Sequence, residues 1–190
     1  MTTRTKPFTP PMEESDEATE AQLQLARAQG AALQRALEEM VQREAHDGRE
    51  IDAGEYLVGY AVEAAEGMYE LHDGQLVWHE PEAENVHVEV SVRDGADGRF
   101  VPGLTVYATL LDQKGQEIGT HPQPFVWHPW LYHYGRNWQV PGDGEYTLRV
   151  RIEPATFHRH DRKNGQRYAK AVEVEFSGVK IKTGRKAGRS

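Results

Sequence analysis

The segment His121-Pro-Gln-Pro-Phe-Val-Trp-His128-Pro-Trp-Leu-Tyr-His133-Tyr-Gly135 concentrates the residues of this chain most able to do chemistry. Three imidazoles, two Trp and three Pro stand in one connecting stretch, unlike an ordinary small and polar loop. Imidazole is the commonest protein ligand for transition metals, so a Pro-stiffened, aromatic-rich run of His points to a metal site. The plainer alternative is a hydrophobic plug at the end of a β-sandwich, with the His as its wet rim. In Asn85-Val-His87-Val-Glu89-Val-Ser-Val92, period-two alternation sends the four Val to a core and His87 with Glu89 together to the opposite face. That pair is a ready half-site, although a lone His-x-Glu is more often a solvated outer face. A last pair, His158 and His160, shares a direction if the chain is extended, but the adjoining Arg159, Arg162, Lys163 and Arg167 also suit a charged turn at Asn164-Gly165.

Composition limits what these residues can be. The chain has 190 residues, 38% of them hydrophobic, enough for one core with an extension. Its formal charge of −8 argues against a nucleic-acid-binding face, and nine His is a high count. With no Cys there is no thiolate zinc site, disulfide framework or cysteine nucleophile. No apolar run is long enough to span a bilayer, and the opening Met1-Thr-Thr-Arg-Thr-Lys-Pro lacks the apolar core of a secretory signal.

The elements that must position the His follow from periodicity. Residues 1–14, rich in Thr, Pro and Glu, read as a disordered tail. Leu23, Ala26, Gly30, Leu33, Leu37 and Met40 recur at spacings of three and four, which predicts a helix from about Ser15 to Glu44, closing near His46-Asp-Gly48 with Gly48 as a left-handed cap. This helical extension, 15–48, is expected to lie on its own sandwich, with a role in dimer formation or partner docking as the alternative. From residue 49 to 181 the pattern becomes short period-two segments punctuated by Asp-Gly turns, the signature of an all-β, Ig-like antiparallel sandwich. Strands are expected at 55–61, 68–71, 86–92, 105–111, 145–152 and 171–176, and Tyr146 opens its strand as the tyrosine corner of Ig-like domains does. Residues 182–190 read as a basic flexible tail.

From about Gly54 to Ile181 the order Glu-Tyr, Glu66-Gly-Met68, Val-His87-Val-Glu89, Pro102, Leu-Thr-Val-Tyr107, Gly119-Thr, His133-Tyr-Gly135, Gly-Glu-Tyr146, Arg159-His160 and Phe176-x-Gly178 resembles the bacterial periplasmic iron-transport accessory proteins. These are Ig-like, dimeric, copper-binding proteins that operate beside an iron permease. The resemblance implies that His87, His133 and His160 are the copper ligands and that Glu89 is the acidic residue of a second, iron-like or manganese-like site. In that family a Met ahead of the His-Tyr-Gly motif completes the copper site. Here the stretch reads Thr120-His121-Pro-Gln-Pro-Phe125, leaving His121 or His128 to replace the thioether.

These readings make the chain a transition-metal-binding accessory protein of iron uptake, carrying copper (Cu2+) or iron (Fe2+), with zinc as a further metal the ligands suit. It would work as a homodimer beside an iron permease, in the periplasm by resemblance. The alternatives are a mononuclear metal hydrolase or oxygenase with Glu89 as base, and a structural Ig-like interaction domain. If the three His ligate, affinity should fall as pH drops from roughly 6 to 5, because imidazole binds metal when neutral and its reference pKa is about 6.5. An all-nitrogen set would favour Cu(II) over Cu(I).

Overall fold

The computed structural model describes residues 9–186. One helix, α1 (Glu20–Arg43), precedes eleven strands: β1 (Asp47–Ala53), β2 (Tyr56–Glu63), β3 (Met68–His72), β4 (Gln75–His79), β5 (Val86–Asp94), β6 (Val106–Leu111), β7 (Glu117–Pro122), β8 (Phe125–Trp127), β9 (Tyr132–Trp138), β10 (Gly144–Ile152) and β11 (Val172–Ile181). A five-stranded sheet in the order β1-β2-β5-β9-β8 faces a four-stranded sheet β11-β10-β6-β7, and β3-β4 stands apart as a hairpin. All of the strand pairs are antiparallel. Between the sheets lie Tyr56, Val58, Tyr60 and Val62 of β2, the alternate Val of β5, and Leu148, Val150 and Ile152 of β10. The Tyr146 hydroxyl donates to Gly142 O at 2.7 Å, the backward bond of a tyrosine corner. Asp73 and Gly74 both take positive φ, 49° and 80°, which gives the β3–β4 hairpin the primed turn that matches strand twist.

Several expectations change. The segment expected to be a connecting loop is mostly strand: His121 lies in β7, Phe125–Trp127 form β8, and Tyr132 and His133 begin β9. Its aromatics other than Trp130 serve as sheet residues, and its Pro sit at a strand end or between strands. Helix α1 starts later than expected because Thr19 caps it, with Gln22 Oε1 accepting from Thr19 N at 2.8 Å in a capping box. It ends at Arg43, and Gly48 is already strand rather than a cap. A Cβ on Gly48 would meet Tyr60 O at 2.9 Å and Val41 of the helix at 3.0 Å, so the residue serves close packing. Residues 9–14 do not run free: Asn164 Nδ2 donates to Glu13 O and Arg167 to Pro10 O, both at 2.8 Å. Residues 1–8 of the expected disordered tail, and 187–190 of the expected basic tail, lie outside the described residues.

The outer face of the five-stranded sheet matters most for the site. Helix α1 packs there through Met40, with Leu33 and Val41 around it, onto Ala61 of β2 and Leu131. Strand β5 is therefore buried on both faces along its whole length. Gly30 sits where α1 meets the Asp97-Gly98 turn, and a Cβ there would lie 1.8 Å from Asp97 O.

Candidate metal centre

The register of β2, β5 and β9 fixes which side chains share that outer face. Glu63 pairs with His87 and His87 with Asn137; Ala61 pairs with Glu89 and Glu89 with Gly135. Directly opposed residues in antiparallel strands point the same way, and His133 lies two residues before Gly135 on that face. The result is a cluster of His87, Glu89 and His133, each contributing a ligand atom within 4.8 Å of the others. His133 Nε2 lies 3.6 Å and His87 Nε2 3.9 Å from the same oxygen, Glu89 Oε1. The two rings are 5.8 Å apart and nearly perpendicular. All three residues are buried.

The tautomer of His87 follows from its neighbours. Asn137 Nδ2 donates to Glu66 O at 2.7 Å, which fixes the amide so that Oδ1 faces His87 Nδ1 at 3.0 Å. The same Oδ1 accepts from Glu66 N at 3.2 Å, so Nδ1 of His87 carries the proton and Nε2 presents its lone pair to the cluster. That Nε2 and both ring nitrogens of His133 have no hydrogen-bond partner among the described residues. Buried polar atoms left unpaired cost about 1–3 kcal/mol each, so the arrangement asks for a ligand that accepts lone pairs. Gly135 makes room for it: a Cβ would lie 3.0 Å from both His133 Cδ2 and His87 Nε2. The intervening Tyr134 points to the sandwich core, where its hydroxyl donates to Val101 O at 2.7 Å.

Charge state follows burial. Burial pulls the His133 imidazolium down to about 3, with the neighbouring His87 and His128 rings adding to the effect. Burial lowers His87 as well, against the raising influence of Glu66 and Glu63. His133 is thus neutral, the ligating form, well below pH 6, and His87 is shifted in the same direction. Glu89 moves the other way: burial first, then its hydrogen bond and repulsion with Glu63, raise its carboxyl well above the usual range. Glu63, Glu66 and Glu89 form a second group of potential ligands that shares Glu89 with the first. Lys186 is its counter-ion, 2.9 Å from Glu66 and in contact with Glu63.

The other expected site residues separate. His128, in the β8–β9 connection, borders a cavity of about 780 Å3 together with Glu63, Glu66, Glu89, Trp130, Met40 and Lys186. His121 lies in the other sheet, exposed, with its ring 4.7 Å from that of Trp138 and not in the cluster. His160 does not join His87 and His133 within one chain. Its side chain is 93% exposed and its Nδ1 lies 3.0 Å from Glu17. The reason is local: the stretch after β10 is irregular, and Asp161 is held to the N-terminal segment through Ser15 Oγ at 2.8 Å. Sequence reasoning missed Glu63, Glu66, Asn137, Met40 and Lys186. The period-two rule could have placed Glu63 and Asn137 had the pairing of β2, β5 and β9 been known, whereas nothing local marks Met40 or Lys186.

Comparison with known proteins agrees with this architecture. No curated protein matched. Among solved structures, FetP of uropathogenic Escherichia coli is 20% identical and superposes with a TM-score of 0.57, covering 73% of this chain and 98% of its own. A copper-bound variant of the same FetP gives 21% and 0.56, over 71% and 95% of the two chains. A copper-bound variant of Campylobacter jejuni P19 is 16% identical with a TM-score of 0.55, over 74% and 97%. Likeness at these identities establishes a shared fold. Residues 53–180 match the family model described as Fe2+ transport protein, a span that includes every residue of the buried cluster, and the chain belongs to that family.

Proposed function

We propose that this chain is a metal-binding accessory protein of iron transport that holds copper or iron between His87 and His133, with Glu89 beside them. The observation that carries the reading is the pair of buried neutral imidazoles whose unpartnered Nε2 atoms converge on one carboxylate oxygen. Two imidazoles and a carboxylate suit Cu(II), Zn(II) and Fe(II). The copper bound by the FetP and P19 variants on the same fold supports the choice of copper, and the family supports iron as cargo. His128 and Met40 border the same cavity as Glu63 and Glu66 and add further donors within the chain, Met40 offering the thioether that the His121–Phe125 stretch lacks. The exposed His160 is available only to another copy, which fits a homodimer in which each chain lends that ring to its partner's site. A periplasmic location beside an iron permease follows from the family resemblance.

The test is titration of tag-free protein with Cu(II), Zn(II) and anaerobic Fe(II), together with His87→Ala and His133→Ala. Stoichiometric binding that falls at least about tenfold in each variant is the expected result, since losing even an outer-shell partner of a ligand costs 10–100-fold. A wild-type protein that takes up no stoichiometric transition metal, or variants that bind as it does, would refute the reading.

A further inference from the structure

The β3–β4 hairpin is unlike the rest of the fold. From Tyr69 to Glu80 every residue is exposed. Its two faces differ: by register Tyr69, Leu71, Leu76 and Trp78 share one, and Met68, Glu70, His72, Gln75, Val77 and His79 the other. A two-stranded hairpin without a core behind it is marginal in water, so cross-strand contacts must hold it. The Tyr69 and Trp78 rings, 4.9 Å apart, supply one on the first face. On the second face the two imidazoles of His72 and His79 come from different strands and lie 5.1 Å apart. Glu70 Oε2 is 3.3 Å from His72 Nε2, and the three residues offer ligand atoms all within 4.8 Å of one another. None of them belongs to the buried cluster.

We infer that Glu70, His72 and His79 form a second, exchangeable site for a divalent transition metal, separate from the buried one. Two imidazoles and one carboxylate are a donor set for Zn(II), Cu(II) or Ni(II), and three protein ligands leave positions for water, as an exchangeable site requires. The local field favours cations: residues 68–84 contain Glu70, Asp73, Glu80, Glu82 and Glu84 and no Lys or Arg. A metal bridging Glu70 and His72 on one strand to His79 on the other would also hold the hairpin together, coupling its order to occupancy. The place suits loading of the buried site. Trp78 and Glu80 of the same segment line the cavity that Glu63, Glu66 and Glu89 face.

The experiment uses Zn(II), which is redox-silent, as the probe on the full chain. In wild type the expected stoichiometry is two Zn(II) per chain, a buried site and a weaker outer one. His72→Ala and His79→Ala, both at exposed positions, should each weaken only the outer event, by at least about tenfold, and leave the buried one intact. His87→Ala should do the reverse, so loss of the buried site and loss of the outer site are read independently. A second readout on wild type uses Cu(II) added beyond the first equivalent, which fills the buried site: paramagnetic broadening of the His72 and His79 ring protons then marks the outer site without any substitution. A single binding event that neither hairpin variant alters, or ring signals that do not broaden, would overturn the inference.

Discussion

Replacing Glu89 with Gln and moving from pH 7 to pH 5 separates the protons that compete with metal at this site. If His87 and His133 titrated near the reference value of about 6.5, the neutral fraction of each would fall about 25-fold between those pH values, and the pair would lose roughly 600-fold in affinity. Burial instead holds His133 neutral down to about 3, so that ring contributes almost nothing over the interval, and it lowers His87 in the same direction, so the pair loses far less than two unperturbed imidazoles would. The other proton that competes belongs to Glu89, whose carboxyl is raised by burial and by Glu63. If Glu89 ligates, wild-type affinity should fall by at most about tenfold per pH unit below its pKa, with up to about one proton released per metal bound at neutral pH. Glu89→Gln keeps the shape and removes that proton, so its affinity should fall between pH 7 and pH 5 by less than the about 25-fold of a single unperturbed imidazole. The assay is competition against a chelator whose own protonation is corrected for, with calorimetry in two buffers of different ionisation enthalpy to count released protons. A fall of several hundredfold in the Glu89→Gln protein would show that the imidazoles titrate normally and would refute the reasoning. The same burial displaces the pH 6 to 5 window that unperturbed imidazoles would give.

Other expectations follow from the same geometry. His121→Met should leave the ratio of Cu(I) to Cu(II) affinity unchanged, because His121 packs on Trp138 away from the cluster, whereas His128→Met should raise it by placing a second sulfur on the cavity; separate Cu(I) and Cu(II) competition titrations decide. Gly30→Ala should destabilise by about 1–3 kcal/mol or lift α1 from the Asp97 turn, seen as a lower midpoint in thermal or urea unfolding, since its Cβ would overlap Asp97 O. In the metal-free protein, His133 and His87 have lowered folded pKa values, so their stabilising contribution is complete above about 6.5 and is lost as pH falls, for His133 down to about 3. Glu89 is raised, so its contribution is present below its unfolded pKa and lost as pH rises, opposing one of the two His. The loss of stability between pH 6 and 5 should therefore be steeper in Glu89→Gln than in wild type, because the opposing group is gone, as urea unfolding across that range would record.

Much of the frame was legible because it is local. The Val alternation of β5 and the helical stripe of α1 are periodic patterns, and both lie where the periods put them. The pairing of His87 with Glu89 on one face followed from period two alone. What periodicity could not supply was the second cover of that face, so the solvated outer surface expected of His-x-Glu is instead buried by Met40, Leu33 and Val41. Strands β7, β8 and β9 were hidden for a related reason: their aromatics, His and Pro blur alternation, and their pairing with β5 and β6 is set by distant residues. His160 was placed by order along the chain, which says nothing of the hydrogen bonds that tie Asp161 to Ser15 and Asn164.

The helix is where this chain departs from the span it shares with its family. The family match begins at residue 53, whereas α1 covers Glu20–Arg43. A His-x-Glu pair on an uncovered sheet face would titrate near its reference values and exchange protons with solvent at neutral pH. Packing Met40 over Ala61, the strand neighbour of Glu89, helps to remove that solvent. Desolvation disfavours every charged form, so the one cover drives two imidazoles and a carboxylate towards neutrality together, lowering the first two and raising the third. Imidazoles biased towards their neutral, lone-pair form beside an acid that holds its proton more tightly are poised for a cation: the rings have less proton to lose, and the acid can give one up as positive charge arrives. Helix docking and metal binding therefore act on the same three protonation states, and Glu89 is the group at which they oppose each other.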